Sequence, residues 1–231
     1  IKKEAYIIPV ILSLFLVPLF WNPLFINSFT QGKEILFKSI IIITFFLCVI
    51  GMVIKGKKEL KLKNILESHL FLLLFAEIIF YAISNSVSQH PIVTLYGTYT
   101  RGFGFIMELF LFAFILYVAL VITEKRTILL LKVVFVSGLV LAAYGIFQKI
   151  GINPFFNTFD INIFAGRSFS FLGNPSYLGQ YMSLLLITGA FLFLHEVKWK
   201  YFYLIGSIVF IITLLFSGTR TALVGMFLAS I

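Results

Sequence analysis

The sequence predicts an all-α fold: a polytopic bundle of seven full transmembrane helices and the start of an eighth, with the amino terminus in the cytoplasm. Three observations carry that expectation. Of 231 residues, 61% are hydrophobic and 12% charged, against about 45–50% and about 25% in soluble domains. Apolar runs close to the ~20 residues that cross a bilayer recur along the chain. The lysines gather in alternate connections, as the excess of Lys and Arg in cytoplasmic loops requires.

The first run, Tyr6 to Phe20, follows Lys2 and Lys3 as a signal peptide would, but no small-residue cleavage site follows Phe20, so a retained helix is expected. The second, Ile35 to Ile54, holds Cys48, and a single cysteine excludes an intrachain disulfide and a cysteine metal site. The third, Ile65 to Ile83, starts beside Glu67 and His69, which are read as solvated, and carries Glu77 in its apolar stretch. Phe103 to Ile122 is the fourth and contains Glu108; Ile128 to Ile150 is the fifth, with Lys132 and Lys149. The sixth, Tyr177 to Leu194, has a defined start, because Asn174 is a capping residue and Pro175 suits the first helical position, where its missing N–H costs nothing. Tyr201 to Phe216 is the seventh, and an eighth begins near Thr221. The chain starts on Ile and stops inside that last apolar run, so a fragment of a longer protein is expected, 1–231 forming a single integral membrane domain.

An amino terminus inside places Lys2, Lys3, Lys55, Lys57, Lys58, Lys61, Lys63, Lys125, Arg126, Lys198 and Lys200 on the cytoplasmic face and leaves only Lys33, Arg101, Arg167 and Arg220 outside. The inverted topology fails at nearly every loop. Most of the net +9 therefore sets orientation. No soluble segment is long enough for a nucleic-acid module, so no nucleic-acid partner is expected. The external connections (Trp21 to Glu34, Ser84 to Gly102, Gly151 to Ser176) are the long ones, rich in aromatic, Gly, Asn and Thr residues. Long loops tend to carry function, which points to an extracytoplasmic working face.

Common catalytic signatures are absent. There is no P-loop, and Gly102-Phe103-Gly104 is only a GxG without a preceding buried strand. His69, His90 and His195 are spread over loops and helix ends on both sides, so no metal site is expected. His90, just before Pro91, has no visible partner in the sequence. The informative residues are Arg101, Arg167 and Arg220, three of the four arginines, each at or just before the outer start of an inward-running helix. A helix start already carries partial positive charge, so the placement is unfavourable without an anion. Exposed helix-start amides bind phosphate, and guanidinium forks add bidentate hydrogen bonds. Ser217-Gly218-Thr219-Arg220-Thr221 adds hydroxyls suited to capping at Ser217 and Thr219. The bland alternative is that each arginine anchors a helix end to lipid phosphate.

Glu77 and Glu108 lie inside apolar runs, and an intramembrane carboxylate is a functional candidate by default. Glu108, two turns inward of Arg101, could orient the arginines; pairing with Lys132 or Lys149 is the alternative. Phe155, Phe156, Phe159, Phe164, Phe169 and Phe171 read either as an interfacial belt or as the lining of a lipid or sugar groove.

The segment from Gly166-Arg167 through Gly173-Asn174-Pro175-Ser176-Tyr177-Leu178-Gly179, followed some forty residues later by Ser217-Gly218-Thr219-Arg220-Thr221-Ala222-Leu223, resembles the core of the O-antigen ligase and O-antigen polymerase superfamily. That group includes the lipopolysaccharide O-antigen ligases, repeat-unit polymerases and bacterial protein O-oligosaccharyltransferases. Arg101-Gly102-Phe103-Gly104 is similar to an earlier arginine-glycine step of the family, so the ligase-like core covers about 96–231. The resemblance implies a bacterial cytoplasmic-membrane glycosyltransferase that moves a glycan from an undecaprenyl-pyrophosphate carrier to lipid A core, another glycan or a protein. It implies no nucleotide or metal cofactor. Arg167 and Arg220 would hold the pyrophosphate and Arg101 would assist, while a general-base histidine would lie beyond Ile231. Two other functions compete. A cell-wall type polymerase would need an external carboxylate, here Glu34 or Asp160. A flippase or transporter would show repeats or paired broken helices.

Overall fold

The computed structural model describes residues 6–25, 27–55, 67–98, 102–155 and 164–229, and every element among them is helical. The chain forms α1 (Ile8–Leu19), α2 (Gln31–Lys55), α3 (His69–Ser86), α4 (Pro91–Tyr96), α5 (Phe105–Val121), α6 (Glu124–Lys149), α7 (Pro175–His195), α8 (Lys200–Ser217) and α9 (Arg220–Ala229), with a 3-10 turn at Ser170–Leu172 before α7. Two compact units divide it: Ile1–Ser13 with Asn22–Arg126, and Leu14–Trp21 with Thr127–Ile231.

In the first unit, local capping sets helix ends that hydropathy blurs. Asn27 Oδ1 accepts from the amides of Phe29 and Thr30, shaping the entry to α2. The third helix, expected from Ile65, has its cap at Ser68, whose hydroxyl accepts from Phe71 N at 3.2 Å. The span expected as a loop before Gly102 contains α4, opened by Pro91 at its first position. Helix α5 packs on α2, α3 and α4; Phe37 meets Phe114 edge to face at 5.3 Å and Phe71 meets Phe112 at 6.0 Å.

The second unit is built on three helices, α6, α7 and α8, each long and apolar enough to cross a membrane. Helices α1 and α5 and the Phe71–Ser86 part of α3 are apolar but shorter. Along α7 Leu178, Met182, Leu185, Gly189 and Leu192 are buried at a four-three spacing that makes one continuous seam, with Pro175 and Gly179 buried at its start. Tyr203, Gly206, Phe210, Thr213, Leu214 and Ser217 repeat it on α8. The opposite faces are not polar: Leu184, Ile187, Leu194, Ile205 and Leu215 are exposed. A helix apolar all round suits lipid rather than water.

Lipid does not drive apolar helices together, so close backbone approach and van der Waals packing must hold them. Phe135 of α6 is fully buried, with Tyr203 at 5.2 Å and Phe210 at 5.0 Å between ring centroids. A Cβ on Gly206 would stand 2.5 Å from Phe135 Cζ. Gly206→Val is therefore expected to overpack this seam and cost about 1–3 kcal/mol, read as a lower midpoint of thermal unfolding in detergent. At one end of the unit Lys132 pairs with Glu196 at 2.8 Å.

Candidate functional site

The segment after α6 is strained where it meets the helices. Among the described residues, the non-glycine residues with positive φ are Ala165 and Ser170, both at 50°. For residues with a side chain that left-handed region is uncommon and must be held by surrounding structure. Phe164 to Arg167 closes a tight turn, Arg167 N donating to Phe164 O at 3.0 Å, with Ala165 and Gly166 (φ 72°) at its corner. Ser170 is fully buried; its amide donates to Gln148 Oε1 at 2.6 Å and its hydroxyl to Leu141 O at 2.8 Å. Phe169 N also donates to Gln148 Oε1, and Ser168 donates from its hydroxyl to Gly145 O at 2.7 Å. The last turns of α6 thus clamp 168–170, and Lys149 Nζ adds a bond to Gly166 O at 3.0 Å.

That clamp fixes Arg167. Its Nε donates to Ser217 O at 2.7 Å and its Nη2 approaches Thr219 Oγ1 at 3.4 Å, while Ser168 N donates to Phe216 O at 3.1 Å. The guanidinium lies over Gly218, where a Cβ would stand 3.2 Å from Nε; with φ at 60°, that position suits glycine on both counts. Thr219 Oγ1 in turn donates to Pro175 O at 2.9 Å and accepts from Ser217 Oγ at 3.0 Å. On the α7 side, a Cβ at Gly179 would stand 2.6 Å from both Thr219 Cβ and Oγ1, so glycine lets α7 and the start of α9 touch.

The structure therefore joins Arg167, Ser217, Thr219 and Pro175 by direct bonds and places Asn174 and Arg220 next to them in the chain. Two helix starts meet there. Asn174 caps α7 as its sequence position implies, Oδ1 accepting from Ser176 N at 2.8 Å, and Pro175 takes the first helical position. Arg220 opens α9 and is exposed. The electrostatics of Arg167 differ from the expectation. It contacts a carbonyl at the carboxyl end of α8, the negative helix pole, so its charge is favourable there before any ligand arrives. Nη1 has no hydrogen-bond partner among the described residues, so the outer edge of a half-buried guanidinium keeps donors for an anion.

Arg101 lies outside the described residues, as do Phe156, Phe159 and Asp160. Glu108 belongs to the first unit; α5 begins at Phe105, which puts Glu108 in its first turn, half-buried. A carboxylate there complements the helix pole. The lysines weighed as its partners are engaged within the second unit, Lys132 with Glu196 and Lys149 with Gly166 O. Glu34 is paired with Lys38. His90 is an exposed residue at the start of α4, and no metal-binding group of His, Cys, Asp and Glu occurs among the described residues.

Comparison with protein-family models, with curated proteins and with solved structures gives no match. The site thus rests on its own geometry. Gln148, Lys149, Ser168 and Ser170 are the members that sequence reasoning missed. The available signal was polarity: an amide and two serines in otherwise apolar stretches need bonded partners, and here those partners organise the arginine.

Proposed function

We propose that the protein is a bacterial cytoplasmic-membrane glycosyltransferase of O-antigen ligase type, transferring a glycan from an undecaprenyl-pyrophosphate carrier to an acceptor on the extracytoplasmic face. The acceptor class is lipid A core, another glycan or a protein. The carrying observation is the bonding of Arg167 to Ser217 O and Thr219 Oγ1, which brings two arginine-bearing segments and two helix starts together. In this reading the chain crosses the membrane seven times and begins an eighth pass, amino terminus inside, as the lysine distribution supports.

The chemistry follows from charge. Breaking the bond between sugar and pyrophosphate builds negative charge on the leaving group, and donors fixed beforehand in a water-poor site stabilise it with little reorganisation. Arg167, held by Ser217 of α8 and by Thr219, supplies such donors, and Arg220 adds positive charge at the start of α9. Bond energy comes from the carrier, so no nucleotide site is needed. A general base would take the acceptor hydroxyl's proton as that oxygen attacks the anomeric carbon and the pyrophosphate departs from the opposite side.

The test places the full-length protein in vesicles with an undecaprenyl-pyrophosphate glycan and candidate acceptors. Loss of lipid-linked glycan matched by acceptor-linked product is the expected result. Glycan-lipid that crosses the bilayer without being consumed would instead establish a flippase.

A further inference from the structure

Linked to Arg167 through the clamped 168–170 segment is a cluster that the phosphate chemistry does not use. Tyr144 and Gln148, both buried, are one turn apart on α6 and so share a face. The Tyr144 hydroxyl donates to Asn153 Oδ1 at 2.5 Å, and its ring stacks on Phe171 at 4.5 Å. Phe155 lies 5.6 Å from Tyr144 and 5.7 Å from Phe171, and Trp21 closes the group at 6.3 Å from Phe155. Phe155 is 53% exposed, so one side of the cluster is open. Gln148 joins it to the arginine, since its Oε1 holds the amides two and three residues after Arg167.

Two donors here are unsatisfied among the described residues: Gln148 Nε2 and Asn153 Nδ2 are buried and have no hydrogen-bond partner there. The Gln148 amide cannot be turned over to cure this, because its nitrogen would then face two backbone N–H groups. A buried unsatisfied donor is costly, and native structures hold few of them. Aromatic faces carry negative charge density and attract the polarised C–H groups of a sugar ring; its hydroxyls accept from amide N–H. A polyprenyl tail would fit the rings and leave both amides unsatisfied.

We infer that Tyr144, Gln148, Asn153, Phe155 and Phe171 form a sugar subsite next to Arg167, taking the monosaccharide attached to the pyrophosphate. The inference rests on the carrier-lipid function proposed above. Phe155 and Phe171 supply ring faces, while Gln148 Nε2 and Asn153 Nδ2 donate to sugar hydroxyls.

The experiment measures binding of the full-length protein in nanodiscs to sugar-free undecaprenyl pyrophosphate and to a panel of carriers bearing a single hexose, N-acetylhexosamine or 6-deoxyhexose. At least one sugar should tighten binding over the sugar-free carrier. Phe155→Ala and Asn153→Ala should each remove about five- to tenfold of affinity for that carrier, the scale of one lost hydrogen bond or packing contact. Both should leave the sugar-free carrier within about twofold, and Phe155→Tyr should retain the sugar effect. Equal losses on both carriers, no loss in either variant, or no sugar effect in the unmodified protein would overturn the subsite while leaving the pyrophosphate function standing. Binding of neither carrier would remove that function and the subsite together.

Discussion

Arg220→Ala is expected to abolish glycan transfer, lowering the rate by about 100- to 1,000-fold, with no loss of expression or thermal stability. Arg220 is exposed at the first position of α9 and its side chain makes no hydrogen bond or ion pair among the described residues, so its removal deletes charge without undoing packing. Arg167→Ala should show the same kinetic loss together with lower stability, because Ser217 O loses a donor and the charge at the carboxyl pole of α8 is gone. Arg167→Lys separates the two roles: an ammonium can satisfy the carbonyl yet cannot present the planar fork that holds two oxygens. It should regain stability and little activity. The measurement is single-turnover transfer of a labelled lipid-linked glycan, with unfolding followed in parallel. Unimpaired transfer by a well-folded Arg220→Ala protein would refute the assignment.

Gln148→Leu should produce the largest structural effect. Leucine fills much of the same volume but removes the acceptor for Phe169 N and Ser170 N. Each buried amide left without a partner costs about 1–3 kcal/mol, and the left-handed Ser170 keeps only its hydroxyl bond to Leu141 O. Loss of several kcal/mol is enough to unfold a marginal domain. The protein is therefore expected to be degraded or to aggregate at 37 °C and to be inactive where recovered. Gln148→Glu keeps an acceptor oxygen and should fold, so comparing the two by thermal unfolding separates loss of the acceptor from loss of the side chain's shape. Equal midpoints for Gln148→Leu and the unmodified protein would show that the clamp contributes nothing.

The contrast between these residues explains what the sequence could reveal. Asn174 and Pro175 were readable because a cap is local: Oδ1 of Asn174 reaches Ser176, two residues on. The apolar runs were readable because hydropathy reports membrane thickness directly. Helix ends were less so, since α6 continues back to Glu124 through charged residues and α3 waits for its cap at Ser68. Arg167 was singled out by type, but its partners at Ser217 and Thr219 lie 50 and 52 positions later and no local rule joins them. Its electrostatic setting was misjudged for the same reason, because the pole that it meets belongs to α8. Gln148 escaped notice because one neutral amide in an apolar helix carries no charge signal; its importance comes from two backbone amides that fold back onto it.

The separation along the chain has a consequence for biogenesis. A membrane protein is threaded into the bilayer from its amino end, so α6 and the 164–172 segment are made well before Phe216, Ser217 and Thr219. The bonds from Ser168 N to Phe216 O and from Arg167 to Ser217 O can close only after α8 has been delivered. Until then the left-handed turns at Ala165 and Ser170 lack part of what holds them. Completion of the arginine centre is thereby coupled to insertion of a later helix, and a ribosome-bound intermediate that stops short of α8 cannot assemble it.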